Sequence, residues 1–471
     1  MRDNFQPVDV AVVGGGVSGL TCAFWLKRAG LNVTLFEASR QAGGCIQSLR
    51  TAPYIADGGP QSFLANAELL ELVRTAGLES ALQTVDPVAL RPYFFHKGRL
   101  VEVPRSPPAV LKTPLLSAGA KLRLLGEPLI AARTQTSDES IASFVCRRAG
   151  RELLGAVIAP YVSGIFAGDP AKLSMSSVFP SAVALERSHG SVLRGFLSQR
   201  QAAKAEALAA GGDGKPVPRK TVGFRGGNDA LPNALAEQLG RDLRLGVSVK
   251  AMWQRGNWLE LQLADAGQTR VVARSVVIAT PAANAAQLLQ IFNPQLGAQL
   301  EAIGHPPVVQ IALAYPRSAV GVPLEGFGFL AARQEKLRIL GCVFNSVMFP
   351  DRCPENELLL TVFLGGATDP QIYDSNDAEL TRIAHADLQR VLKIADTRPT
   401  IVAGFRWPFA IPQFNIGHAQ RVQSIQDAAA TIPHLYLCGN YLANPSVGAL
   451  VGSAKTLAST IVEDLKKEQS A

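Results

Sequence analysis

Apolar runs and their spacing divide the chain into distinct elements. Val8–Val13, interrupted only by Asp9, is β-branched, has the length of a strand buried on both faces and ends directly in glycine. Residues 18–29 follow with Leu20, Ala23, Phe24 and Leu26 at helical spacing, and 32–36 predict a second strand ending at Glu37. Leu69, Leu70 and Val73 mark a helix over 66–76, after glycines and a proline at 58–60 have broken regular structure. Residues 91–100 predict a hairpin turning at Lys97 and Gly98. The alanine-rich stretch 199–220, closing in glycine and proline, predicts a helix end and a flexible surface loop. Beyond it come a helix over 231–239, strand-like alternation over 243–253 and a buried strand over 275–281. Residues 304–398 are strand-rich with aromatic and glycine punctuation, and 435–441 end the series with a short strand closing on Gly439 and Asn440.

The glycines at the end of the first run change this picture from fold to ligand. Gly14, Gly16 and Gly19 stand between strand and helix. The first allows a tight turn, the second lets backbone approach a pyrophosphate, and the third lets helix and strand pack closely. The phosphates would sit at the helix N-terminus, around Ser18, and Glu37 lies where the pattern requires an acid for the ribose hydroxyls.

Composition sets limits on the rest. A chain of 471 residues is too long for one core, so two or three domains are expected. Hydrophobic residues make up 47% and charged ones 18%, which excludes a disordered chain. A net charge of +8 favours acidic partners, whether anionic lipid, nucleic acid or a polycarboxylate. Nucleic acid is excluded by the absence of a binding motif and by the scatter of basic residues outside short groups such as Arg147-Arg148. Six cysteines with no CxxC read as reduced thiols, and six histidines with no HExxH give no metal site. Few residues precede the first strand and no stretch of ~18 uncharged apolar residues occurs, so the expectation is a cytoplasmic protein, soluble or peripheral on a membrane. Residues 109–133 leave two alternatives open. Their leucines, interleaved with Lys112, Lys121, Arg123 and Arg133, suit either an anionic membrane surface or amphipathic helices on a core.

Several segments also resemble a known family. Glu37, Ala38 and Arg40, followed by Gly43 and Gly44, resemble the extended nucleotide motif of the two-dinucleotide-binding-domain flavoproteins. These include amine oxidases, phytoene desaturases and protoporphyrinogen oxidases. The resemblance implies FAD, with Arg40 near its phosphates and the Gly43-Gly44 backbone close to it. The run Gly58, Gly59, Pro60, Gln61, Ser62, Phe63 resembles a GPxSF segment lying against the flavin ring and opening toward substrate; Gln61 stands where plant-type members carry asparagine. Residues 91–108, with Arg91, an aromatic strand and VPRSPP, narrow the resemblance to protoporphyrinogen oxidases and imply that Arg91 meets a substrate propionate. A planar guanidinium suits that task through paired hydrogen bonds. Residues 164–174, beginning at Gly164, resemble a GxxAGDPxxLS signature, and 222–228 an FxGG segment that returns the chain to the FAD domain. By the same resemblance Val249 holds adenine through its backbone, Ala279-Thr280-Pro281 closes the nucleotide domain, and Phe327 forms a wall for a planar tetrapyrrole. Trp407 falls in a block beside the flavin, while Gly439 and Val447 meet the phosphates and the helix facing the ring. Residues 444–453 depart from the family pattern there, and His418 is given no catalytic role.

The implied fold is α/β: a Rossmann-like FAD-binding domain from 5–81, 221–290 and 405–470, a discontinuous α+β substrate domain from 186–220 and 291–404, and a helical domain at 82–185 that would touch membrane. The implied activity is oxygen-dependent oxidation of protoporphyrinogen. Hydride passes to flavin N5 and a ring proton to solvent or a base, oxygen regenerates the flavin with release of peroxide, and three cycles give the aromatic porphyrin. No strong general base is visible, and aromatisation drives the reaction. The partners implied are a tetrapyrrole, molecular oxygen and a membrane surface, with a homodimer left open. Coproporphyrinogen, an amine or a carotenoid as substrate, and a non-catalytic flavin-binding protein, stand as alternatives.

Overall fold

In the computed structural model, which describes residues 7–104, 106–133, 137–209 and 220–470, the first apolar run forms the strand Val8–Val13 and pairs in parallel with Val33–Glu37 on one side and Arg270–Ile278 on the other. Leu243–Leu245 extends the sheet beyond Val33–Glu37, and Leu435–Leu437 beyond Ile278. Register aligns the carboxyl ends: Val13 lies opposite both Phe36 and Ile278, and Ile278 opposite Leu437. The chain leaves Val13 toward one edge of the sheet while Arg270–Ile278 occupies the other side, so a crevice opens at the carboxyl ends where the order reverses.

Helices cover both faces, as near-continuous apolar strands require. Val17–Arg28, Ala67–Thr75, Ala230–Leu239 and the C-terminal helix Val447–Ser470 bury Leu20, Phe24, Leu72, Leu235 and Val451 against one face. Ala282–Gln290 and Pro294–Glu301 bury Ala285, Leu289 and Leu296 against the other. Asn66 begins Ala67–Thr75 by accepting the Leu69 N–H, as an N-cap asparagine does. This unit comprises the chain up to Val85, Lys220–His305 and the chain from Gln420. The alternation over 243–253 is not one strand. Gly246, at φ +71, breaks it, and Val249–Arg255 instead forms an antiparallel hairpin with Trp258–Leu263.

The second unit comprises Asp86–Arg219 and Pro306–Ala419. Its seven-stranded sheet runs, in spatial order, Thr400–Trp407, Val308–Pro316, Glu357–Gly365, Gly341–Phe344, Gly328–Ala331, Pro92–His96 and Arg99–Glu102. The last two form the expected hairpin, turning through left-handed Lys97 (φ 47) and Gly98 (φ 78). Asp377–Leu392, capped by Asn376, buries Leu380, Leu388 and Val391 in the core of this sheet.

The helices between 107 and 209 cluster with this sheet as part of the same unit. Within 109–133 the leucines divide. Leu115 and Leu116 are buried with Phe94 and Val101, whereas Leu111, Leu122, Leu125 and Leu129 are exposed, Leu129 by 86%. Helix Val192–Ala209 carries the alanine-rich stretch, and residues 210–219 of the expected loop lie outside the described residues, as does Arg105 of VPRSPP. No described helix is long and apolar enough to cross a membrane.

A buried ion cluster ties these helices together. Arg148, at the end of Ile141–Arg148, donates to Glu127 through Nε at 2.6 Å and again through Nη2. Glu127 also accepts the Ser191 hydroxyl and the Val192 and Leu193 N–H groups at 3.1 and 3.2 Å, so one carboxylate caps Val192–Ala209 as well as neutralising an arginine. Arg147 bridges Glu186 and Glu139, each at 2.7 Å. Burial opposes ionisation of Glu127 and is outweighed by the bonds from Ser191, the two backbone donors and Arg148, leaving its carboxyl below the usual range; Glu186 is lowered in the same way, against burial, by Arg147. Folded values below the unfolded one mean that this stabilisation is complete above the ordinary glutamate value of about 4.3 and is lost as pH falls through the depressed values. Glu127→Leu, which leaves Arg148 only Glu186 and backbone carbonyls and deprives Ser191, Val192 and Leu193 of their acceptor, should cost about 3–5 kcal/mol. Glu127→Leu/Arg148→Met should recover only the part of that loss due to the uncompensated arginine in urea denaturation, because Ser191, Val192 and Leu193 still lack their acceptor, and equal destabilisation of single and double variants would refute the pairing.

Candidate functional site

The crevice edge of the first unit is lined by backbone. Gly14 leaves the strand at φ +110, its N–H bound to the Phe36 carbonyl at 2.8 Å; a Cβ there would lie 2.8 Å from the Ala279 carbonyl. Gly19, one turn into the helix, faces the Gly14 carbonyl so closely that any Cβ would overlap it. Gly16 differs from both. It has an ordinary extended backbone, φ −72 and ψ 176, and beyond its two chain neighbours no atom of the described residues lies within 4 Å of where its Cβ would stand. Neither conformation nor packing within the chain demands glycine there, which fits a ligand brought against the backbone. Gly16 is also the N-cap of Val17–Arg28, with no side-chain cap and no acid in the first turn, so the amides around Ser18 and the helix dipole suit an anion.

Glu37 closes one side. Its carboxylate accepts the Gly15 N–H at 2.6 Å and the Ser39 N–H at 2.8 Å, which fixes it at the strand end. Ala38 and Arg40 beside it are exposed, and Arg40 has no ion-pair partner among the described residues. Gly43 and Gly44, at φ +113 and +60, run alongside Gly15 and Gly16; the Gly43 N–H reaches the Gly15 carbonyl at 2.8 Å, and a Cβ on Gly44 would stand 3.2 Å from the Gly16 Cα. Val249 begins its strand after Val247 has bonded the Glu37 carbonyl at 2.9 Å.

Two further segments belong to the same unit. Gly58 ends the strand Tyr54–Gly58, and Gly59 turns at φ +70 against the Cys45 carbonyl, where a Cβ would overlap. Pro60, Gln61 and Ser62 complete the turn. The buried Gln61 folds back on it, its amide nitrogen donating to the Asp57 carbonyl at 2.8 Å and the Gly59 carbonyl at 3.1 Å. At the other edge Gly439 follows Leu435–Leu437, with the Tyr441 ring 2.7 Å from where its Cβ would be. Residues 444–453 resolve into an Asn444 turn, whose side chain accepts the Ser446 N–H at 2.9 Å, and a helix starting at Val447. Asn66 donates to the Gly448 carbonyl at 3.0 Å and so ties two helix N-termini together.

In the second unit the sheet brings Arg91 and Phe327 together. Arg91 precedes the strand Pro92–His96, and its carbonyl accepts the Phe327 N–H at 2.9 Å; Gly326 beside it has no room for a Cβ against that carbonyl. The Arg91 side chain is half-buried with no ion-pair partner among the described residues. Gly164 lies on Ala159–Phe166 where a Cβ would overlap the Leu330 side chain, so its glycine is explained by packing against Gly328–Ala331. Trp407 is held by an indole N–H donated to the buried Gln310 at 3.0 Å and by stacking on Phe405, 6.1 Å between centroids at 8°. Gln310 carried no motif by which sequence reading would have found it, and Asn228, although it ends the FxGG segment 222–228, carried no sign that its side chain holds the 58–62 turn.

Comparison with known proteins agrees with this geometry. The description "Flavin containing amine oxidoreductase" fits residues 17–458. Protoporphyrinogen oxidase 1 of Spinacia oleracea chloroplasts is 32% identical over 98% of this chain and 85% of its own length. Coproporphyrinogen III oxidase of Bacillus subtilis is 31% identical over 91% of this chain and 93% of its own length. Cyclohexylamine oxidase from Brevibacterium oxydans shares the fold, with a TM-score of 0.72 at 18% identity over 98% of this chain and 100% of its own. The glycine-lined edge with its uncapped helix and fixed acid fits FAD, and the chain belongs to the flavin containing amine oxidoreductases, among the relatives that include the porphyrinogen oxidases.

Proposed function

We propose that this protein oxidises protoporphyrinogen IX to protoporphyrin IX in haem biosynthesis, with oxygen as the electron acceptor. The observation that carries this reading is the nearly full-length identity to chloroplast protoporphyrinogen oxidases. FAD supplies the hydride acceptor. The chain supplies orientation: the Gly14–Gly19 turn and Glu37 bind the dinucleotide, with Ala38, Arg40, Gly43, Gly44, Val249, Gly439 and Val447 as further contacts, and Gly58, Gly59, Pro60, Gln61, Ser62 and Trp407 flank the ring. Arg91 takes a substrate propionate and Phe327 packs on the macrocycle, with Gln61 and Gly164 as further substrate contacts. A half-buried guanidinium without a carboxylate partner among the described residues supports the role of Arg91, and the Arg91 carbonyl bond to Phe327 supports their joint use. No side chain is needed as a strong base, because aromatisation of the ring drives loss of its protons.

Coproporphyrinogen III is the second reading, favoured by the Bacillus subtilis relative, whose length this chain covers more fully than that of the spinach enzyme. Purified protein given each porphyrinogen separately under air should develop porphyrin fluorescence with matching oxygen uptake. Faster turnover of coproporphyrinogen would transfer the assignment to it, and turnover of neither would remove both readings. Arg91→Ala, losing a charge-assisted bond of about 1.5–3 kcal/mol, should raise KM roughly tenfold or more with a smaller change in kcat; an unchanged KM would remove the propionate role. Gly16→Ala should leave the melting of the apoprotein unaltered, because its space within the chain is open. FAD affinity should nevertheless fall by about tenfold or more, about 1.4 kcal/mol, and unchanged affinity in an FAD titration would count against backbone approach at Gly16.

The exposed leucines at 111, 122, 125 and 129, beside Lys112, Lys121 and Arg123, support a peripheral membrane contact. Sedimentation with anionic vesicles should retain the protein and release Leu122→Asp/Leu129→Asp, and equal sedimentation of both proteins would dismiss this contact.

A further inference from the structure

The turn at 58–62 is fixed from behind by a side chain distant in sequence. Asn228 is fully buried just before the helix Ala230–Leu239. Its amide nitrogen donates to the carbonyls of Pro60 at 3.2 Å and Gln61 at 3.1 Å, and its oxygen accepts the Phe224 N–H at 3.2 Å. Its own N–H donates to Asp57 Oδ1 at 2.8 Å. The same carboxylate oxygen accepts the Ser48 hydroxyl at 2.6 Å, and Ser48 Oγ in turn accepts the Asp229 N–H at 3.1 Å. Gly227, at φ +131, admits this approach: a Cβ there would stand 2.7 Å from Ser48 Oγ.

These bonds, with those of Gln61, engage the carbonyls of residues 57, 59, 60 and 61 through two side-chain amides. Peptide planarity makes this a statement about direction. With the Gln61 carbonyl turned toward Asn228, the trans peptide turns the Ser62 N–H to the opposite side. A leucine would fill the same space beside Phe63 and Phe224, but it would orient none of these peptides and would leave their buried groups without partners.

We propose that Asn228, aligned by Asp57 and Ser48, is a positioning residue that presets the 58–62 turn for the flavin. The inference rests on the reading that this turn flanks the ring. Apoprotein carrying Asn228→Leu should bind FAD at least tenfold more weakly than wild type. Its visible flavin band and flavin reduction potential should also shift, since a displaced turn changes the surroundings of the ring. Asp57→Ala should behave in the same direction. Asp57→Asn, which keeps an acceptor oxygen for both Asn228 and Ser48, should restore most of what Asp57→Ala loses. A role confined to stability would lower the melting temperature of Asn228→Leu and leave FAD affinity, band shape and potential as in wild type; that result overturns the proposal. If Asn228→Leu does not fold, Ser48→Ala takes its place, with an expected two- to fivefold loss of FAD affinity and a shifted band, and unchanged values again overturn it. Wild-type protein that holds FAD but oxidises neither porphyrinogen defeats the functional reading. Wild-type protein that does both, alongside an Asn228→Leu protein equal to it in FAD binding, defeats this inference alone.

Discussion

The approach of Gly19 to the Gly14 carbonyl, too close for any Cβ, seats the first helix against the first strand, and the rest of the nucleotide unit follows from that seating. It brings the helix N-terminus to the carboxyl edge of the sheet, where the ends of the neighbouring strands are held level by register. Gly14 then turns under Ala279, and Gly43 reaches back to Gly15. Each of these glycines answers to a neighbour inside the protein. Gly16 answers to none, and that difference among residues of one type is what supports its proposed role as a ligand contact.

Much of this unit was legible in the sequence because its determinants are local. Strand, glycines, helix and Glu37 lie within thirty residues of one another, and each is marked by its own chemistry. The hairpin at Lys97-Gly98 and the helix after Asn66 were legible for the same reason. The break at Gly246 was not, because alternation continues across it and only pairing with Val33–Glu37 shows where the first strand stops. Asn228 and Asp57, 171 residues apart, carry no shared pattern, and an asparagine before a helix reads as a cap until the fold brings a second segment to it. Gln61 shows the converse: its position in a motif was readable, whereas the turning of its amide onto its own backbone was not.

The second unit uses buried charge where the first uses glycine. Glu127 meets an arginine, a serine and the start of a helix at once, so the short helices around it share one polar anchor beside the apolar core built on Ile141, Phe144 and Val162. Such an arrangement has a known cost in desolvation and a return in defined geometry. The leucines at 109–133 divide between that apolar core, the sheet and the surface. Leu115 and Leu116 lie inside and Leu124 packs partly on the core around Ile141 and Phe144, while Leu111, Leu122, Leu125 and Leu129 are left on the surface.

The discontinuity of the nucleotide unit bears on how the protein is made. The central strand Val8–Val13 needs Arg270–Ile278 as its neighbour, and that strand needs Leu435–Leu437. Emerging from a ribosome at roughly 5–20 residues per second, the glycine turn therefore waits on the order of tens of seconds before its sheet is complete, while the second unit closes its own sheet with Thr400–Trp407. During that interval Val8–Val13 has Val33–Glu37 beside it but waits for Arg270–Ile278, and its helix waits for Val447–Ser470. The nucleotide unit is thus unfinished until Leu435–Leu437 has been made, and the second unit can complete its own sheet before the first does.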